Sequence, residues 1–239
     1  MHTIFIPKRN YLKIALAFAV LLLLAGFFLL NPVASVISEN LGAPIYKGSA
    51  DQNNVSFAIN VDWGEEYIPK MLAIFEENEI KCTFFLTGRW VENNKDLAKA
   101  IKDKGHEIGN HAYSHTSPNS LSKAKNADEI TKTATAIKEA TGVNTALYAP
   151  PSGECEEQVL AAALETGHHT ILWSVDTIDW QKPSPETIIS RVIVKAESGS
   201  IILMHPTENT VSALSTLISE LNKKNLEIVP VSVNANLDI

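Results

Sequence analysis

His111 and His115 stand four residues apart. On a helical turn that spacing puts two imidazoles on one face, where they can hold one metal ion. Alone the pair is a weak sign, most often a coincidence of the surface, and a third ligand must come from elsewhere, usually a carboxylate. Asp62 follows an apolar run. It reads either as a reactive carboxylate or as the cap of a helix starting near Glu66. His205 ends another apolar run and is either a hydrogen-bonded core residue or a proton donor, with Asp176 or Asp179 able to orient it. Pro150-Pro151 ahead of Gly153 makes a rigid turn that can aim backbone N–H groups at a ligand. Trp173 and Trp180 are core aromatics or a wall facing a sugar.

The elements that must position these residues alternate between strand and helix. Apolar strands are expected at Ser56–Val61, Cys82–Leu86, His106–Gly109, Ala146–Tyr148, Thr170–Trp173, Ile201–Met204 and Glu227–Val231. Between them, helical spacing runs over Glu66–Asn78, Val91–Lys104, Asp128–Ala140, Glu157–Glu165, Pro185–Ala196 and Val211–Lys223. Gly105 and Gly142 stop two of these helices, and Pro185 fits a first turn. Seven strands alternating with six helices mean a parallel sheet, closed or open, whose function lies on the loops after the strands. The polar residues of interest fall on those loops.

Composition narrows the class. The chain has 239 residues, 45% hydrophobic and 20% charged, with two cysteines. That is globular composition, without a disulfide scaffold or a Cys-rich zinc module. Residues 40–239 carry 17 basic and 26 acidic side chains, a net −9, which argues against nucleic acid as a partner. Ile14–Leu30 is an unbroken apolar run behind Lys8, Arg9 and Lys13. We read residues 1–13 as a basic cytoplasmic segment and 14–34 as a single-pass membrane anchor, with a cleaved signal peptide as the rival. Residues 35–54 read as a linker and 55–235 as an extracytoplasmic domain, expected to be monomeric. Cys82 lies in an apolar run and reads as a buried free thiol, although a disulfide with Cys155 is open outside the cytoplasm.

Taken together, the motifs resemble the polysaccharide deacetylase family, the carbohydrate esterases that share the NodB homology domain. The resemblance rests on Asn60-Val61-Asp62-Trp63-Gly64, His111-Ala112-Tyr113-Ser114-His115, Ala149-Pro150-Pro151-Ser152-Gly153, Asp176-Thr177-Ile178-Asp179-Trp180 and Leu203-Met204-His205. Two of these phrases look most like the sporulation-associated branch. The resemblance implies a deformed (β/α)7-type barrel behind the N-terminal transmembrane helix. It implies removal of N-acetyl groups from peptidoglycan or chitin-like amino sugars by water activated on zinc or another divalent metal. By that likeness, His111 and His115 are metal ligands, Asp62 is the general base, His205 is the acid, and Asp176 holds His205. The N–H near Ser152, on the Pro151 turn, helps bind the oxyanion, and Leu203 and Trp180 line the acetyl-methyl pocket.

Two departures bear on this. The family's metal-binding Asp is Trp63 here, and the Arg that pairs with the base is Ala149. An indole cannot coordinate zinc, and Asp62 loses one favourable neighbour. Glu65 or Glu154 could rescue either role. Three readings follow: a glycan N-deacetylase with an altered metal site, a catalytically inactive relative that binds cell-wall glycan, and a different hydrolase on the same scaffold.

Overall fold

The computed structural model describes residues 42–239, which form one compact unit. The basic segment, the anchor and residues 35–41 of the linker lie outside the described residues. Among the described residues no helix is long and apolar enough to cross a membrane.

The strands are β1 (Asn54–Val61), β2 (Thr83–Leu86), β3 (Glu107–Asn110), β4 (Leu147–Tyr148), β5 (His169–Thr170), β6 (Val175–Asp176), β7 (Ile201–Met204) and β8 (Glu227–Ile228). The helices are α1 (Ile68–Glu77), α2 (Gly88–Asn93), α3 (Lys95–Asp103), α4 (Lys123–Thr141), α5 (Glu157–Glu165), α6 (Pro185–Lys195), α7 (Glu208–Lys223) and α8 (Val231–Asn234). The order across the sheet is β5-β4-β3-β2-β1-β7-β6, every pairing is parallel, and β8 joins the first residues of β1. The result is an α/β half-barrel with β5 and β6 at its edges.

Alternation along β1 builds its two faces. Val55, Phe57, Ile59 and Val61 enter the large core between sheet and helices, with Met71, Phe75, Phe84, Leu214 and Leu217. The other face carries Ser56, Ala58, Asn60 and, just past the strand, Asp62. Ala58 packs inside the barrel with Phe85, Leu147, Ile171, Ile201 and Val231. A single strand therefore anchors the helical layer and carries polar residues up the lumen to the mouth.

Five sequence expectations change. The helix expected at Val91–Lys104 starts at Gly88 and breaks at Asn94 (φ −133°, ψ 43°), whose amide donates to the Trp90 carbonyl at 3.0 Å. Helix α4 starts at Lys123, capped by Ser122, and α7 starts at Glu208, capped by Thr207. The strand expected at Thr170–Trp173 is His169–Thr170. An eighth strand, β6, sits where a loop was expected and takes its hydrogen bonds from β7.

The segment ahead of β1 crosses the seam between the sheet edges. Ile45 N–H donates to the Thr170 carbonyl and Leu172 N–H to the Ile45 carbonyl, both at 2.8 Å. Gly48 N–H donates to the Gly199 carbonyl at 2.7 Å, and Lys47 pairs with Ser200.

Candidate active site

Loops after β1, β3, β4, β6 and β7 meet over a cleft of about 380 Å³. It is lined by Asp62, Trp63, His111, His115, Ser152, Asp176, Trp180, Leu203 and His205, with Asn60 and Trp173. All the candidate residues except Pro151 line it. Pro151 lies buried beneath, in the 3₁₀ turn Pro151–Gly153 that presents Ser152. Gly153 has φ 71°, and a Cβ there would lie 2.7 Å from the Trp173 ring, so only glycine fits between turn and indole.

Asp62 does not cap the first helix. Residue Tyr67 holds that position, and no side chain bonds there. Instead, Asp62 Oδ1 accepts from Arg89 Nε at 2.7 Å and from Thr87 Oγ1 at 2.8 Å, while Arg89 Nη2 donates to Oδ2. The cation missing at Ala149 is thus supplied from α2. Burial pushes the Asp62 carboxyl up, but the hydrogen bonds from Arg89 and Thr87 and the Arg89 charge outweigh it, and its pKa falls below the usual 3.8. Sequence reasoning missed Arg89. The signal for it is the Thr87-Gly88-Arg89 phrase right after β2, level with the end of β1, which went unread.

His111 is buried, and its Nδ1 donates to the Ala149 carbonyl at 2.6 Å, which leaves Nε2 as the free lone pair. Burial lowers its pKa to about 3 despite the lift from that hydrogen bond, so the ring is neutral at pH 7. The His111 and His115 rings meet edge to face with centroids 5.0 Å apart. They do so without the helical turn that the spacing suggested: Ala112 (φ 60°) and His115 (φ 56°) are left-handed. Glu129 of α4 holds this loop, its Oε2 accepting from Tyr113 N–H (3.1 Å), Ser114 N–H (2.7 Å) and Ser114 Oγ (2.8 Å).

The partner of His205 is Asp179, not Asp176. The fully buried Asp179 carboxylate accepts from His205 Nδ1 and from His205 N–H, both at 2.7 Å, and from Thr210 Oγ1 at 2.6 Å. Asp176 Oδ1 instead accepts from Ile178 N–H at 2.7 Å and anchors the turn. Ile178 (φ 52°) and Lys182 (φ 56°) bracket the 3₁₀ turn Asp179–Gln181, sending Asp179 inward and Trp180 outward.

Trp63 lies parallel to His205, with ring centroids 5.9 Å apart and planes 8° from coplanar. Gly64 (φ 82°) permits this, because a Cβ there would sit 2.2 Å from the Pro206 carbonyl oxygen. Beneath the mouth, the buried Asn60 side-chain oxygen has no hydrogen-bond partner. Its place on the Ser56-Ala58-Asn60-Asp62 face was readable from β alternation.

The donor set falls short of a metal centre with three protein ligands. Two histidines converge, but the one carboxylate of the first motif is engaged by Arg89 and Thr87. Among the described residues no group of three His, Cys, Asp or Glu side chains is placed to hold a metal ion. Glu154 accepts from Ser117 and Asn119 and does not line the cleft. Glu65 does not line it either. The two cysteines are free, Cys82 buried and Cys155 partly so.

Comparison with known proteins agrees with this geometry. Residues 48–171, just over half of the chain, match the family model for polysaccharide deacetylase. The Bacillus subtilis (strain 168) protein YlxY is 46% identical over 181 residues, which cover 76% of this chain and 57% of that protein. The chain thus spans little more than half the length of that relative. A peptidoglycan-N-acetylglucosamine deacetylase of Bacillus cereus is 34% identical over 191 residues, covering 77% of this chain and 70% of its own. Among solved structures, a CE4 family pseudoenzyme from Bacillus anthracis superposes with a TM-score of 0.80 at 40% identity, covering 81% of this chain and 69% of that one. A mutant of that pseudoenzyme with restored enzymatic activity matches equally well, with a TM-score of 0.80. This chain belongs to the polysaccharide deacetylase family.

Proposed function

We propose that this chain binds N-acetylated cell-wall glycan at the mouth of its half-barrel and is catalytically silent as a deacetylase. The observation that carries this reading is Trp63. It stands where the family resemblance places a metal-binding Asp, and its ring lies over His205 instead. With Asp62 tied to Arg89, the two imidazoles of the cleft gain no third protein ligand, and among the described residues no group of three His, Cys, Asp or Glu side chains is placed to hold a metal. The B. anthracis pseudoenzyme supports the reading, since a likeness at 40% identity includes a protein of this fold that has lost its activity. The B. cereus relative points to peptidoglycan as the glycan. The apolar run Ile14–Leu30, preceded by three basic residues, supports a membrane anchor with this domain outside the cytoplasm.

A second reading, residual N-deacetylation, is favoured by the parts that remain. Asp62 is ionised and held, and His205 is fixed through Nδ1 by a buried carboxylate, which leaves Nε2 for proton transfer. Acetate release from peptidoglycan and from chitotetraose separates the two, run beside a peptidoglycan pull-down of the same preparation. We expect retention on peptidoglycan without acetate release. Multiple-turnover acetate release that is lost in Asp62→Asn would establish catalysis and refute the silent reading. Absence of retention would refute glycan binding.

A further inference from the structure

A second cleft of about 450 Å³ adjoins the first, and Trp63 and Trp180 line both. Its remaining wall is polar and carries both signs of charge: Glu66, Lys182, Glu208 and Asn209, with Tyr67. The two indoles are 45% and 54% exposed. Exposing two tryptophans side by side at a cleft mouth leaves apolar surface in water unless a ligand covers it. Flat aromatic faces between hydrogen-bonding side chains suit a ring that is apolar on its faces and hydroxylated at its rim. Two carboxylates against one ammonium disfavour an anionic polymer, so the polar wall suits a neutral sugar.

We infer that this second cleft is a subsite for the neighbouring sugar of the same glycan strand, with the Trp63 indole as its platform. The substitution that removes a metal ligand thereby builds a binding surface. Trp63 is fixed in that role from both sides. Its inner face lies over His205, and Gly64 seats its loop against Pro206. Lys182 is brought to the rim by its left-handed backbone at the end of the Asp179–Gln181 turn, and Asn209 is oriented by donating to the Pro183 carbonyl at 2.8 Å. One pyranose sits over His111 and His205, and the next covers Trp63. This inference rests on the glycan-binding reading and adds the number of sugars read and the residue that reads the second one.

The test is chain-length dependence of binding by the full chain, followed by tryptophan fluorescence and calorimetry. The probes are N-acetylglucosamine and its β-1,4-linked dimer and tetramer. The dimer is expected to bind at least tenfold more tightly than the monomer. Trp63→Ala should abolish the dimer-over-monomer step, and Lys182→Gly, which lies outside the first cleft, should reduce it at least threefold while leaving monomer affinity within about twofold. Lys182→Gly also relieves a positive φ, so a folding defect does not confound that variant. Equal affinity for all three lengths, or a step that survives both substitutions, overturns the second subsite while leaving single-sugar binding intact. No binding of any length overturns the glycan-binding reading itself.

Discussion

Replacing Trp63 by Asp should trade packing for metal affinity, and the two effects can be read on one thermal axis. Trp63 is 45% exposed, so somewhat more than half of its surface is covered, largely by the neighbouring loop and His205. A tryptophan offers about 200 Å². Uncovering about 100 Å² at about 25 cal/mol per Å² costs about 2.5 kcal/mol as an upper estimate. In a domain of about 200 residues that lowers Tm by roughly 5–10 °C. The new carboxylate gives His111 and His115 a third protein ligand, the number a catalytic zinc site normally keeps. Zinc at a hundredfold its Kd then returns about 2.7 kcal/mol, enough to recover the loss. Differential scanning fluorimetry with and without zinc measures both terms. The wild-type Tm should not move with zinc. That of Trp63→Asp should start lower and rise with zinc, and the rise should vanish in Trp63→Asp/His111→Ala. A wild-type shift as large as the variant's would refute the reasoning, because it would mean that this chain already completes a metal site without residue 63.

Three further perturbations probe the supports of the cleft. Arg89→Gln should raise the Asp62 pKa. Because that pKa is depressed on folding, the pairing stabilises the protein above pH 4 and is lost as pH falls through the folded value. Arg89 is about half exposed, so urea denaturation should show a difference of about 1 kcal/mol at pH 7 that closes as pH falls through the folded pKa of Asp62. Asp179→Ala leaves three donors unpaired around a fully buried position and should cost about 3 kcal/mol by urea denaturation, with Asp179→Asn recovering part. Glu129→Ala should free the loop between the two histidines, seen as amide exchange at Tyr113 and Ser114 at least tenfold faster, with unchanged exchange in β1.

The sequence was most legible where one period persists. Phe57, Ile59 and Val61 and the αβ alternation around them led directly to a parallel sheet, and the polar residues after the strands led to the cleft. It was least legible where a long-range partner decides. Val175–Asp176 is too short to announce itself and becomes β6 only because β7 lies beside it. Asp176 and Asp179 are equivalent by spacing from His205. The left-handed residues Ile178 and Lys182, which no pattern foretells, turn the second inward. Arg89 escaped notice because the resemblance placed the base's cation at position 149. The role is filled by a side chain 60 residues earlier in sequence that the end of β2 brings beside Asp62. The Asn94 break was likewise hidden in a continuous amphipathic run.

The short strap at residues 45–48 governs the order in which this protein becomes complete. Its partners, Thr170 to Leu172 and Gly199 to Ser200, lie more than a hundred residues downstream. Closing such a span carries a loop entropy of about 4 kcal/mol before any contact compensates for it. While the chain is being made, the edge of β1 that pairs with β7 stays bare until β7 has emerged, and the strap cannot complete its docking on Gly199 and Ser200 before that. Bare parallel edges are templates for pairing with another chain. The period of greatest aggregation risk therefore lasts until β7 has emerged, and it ends when the earliest described residues lock onto Gly199 and Ser200.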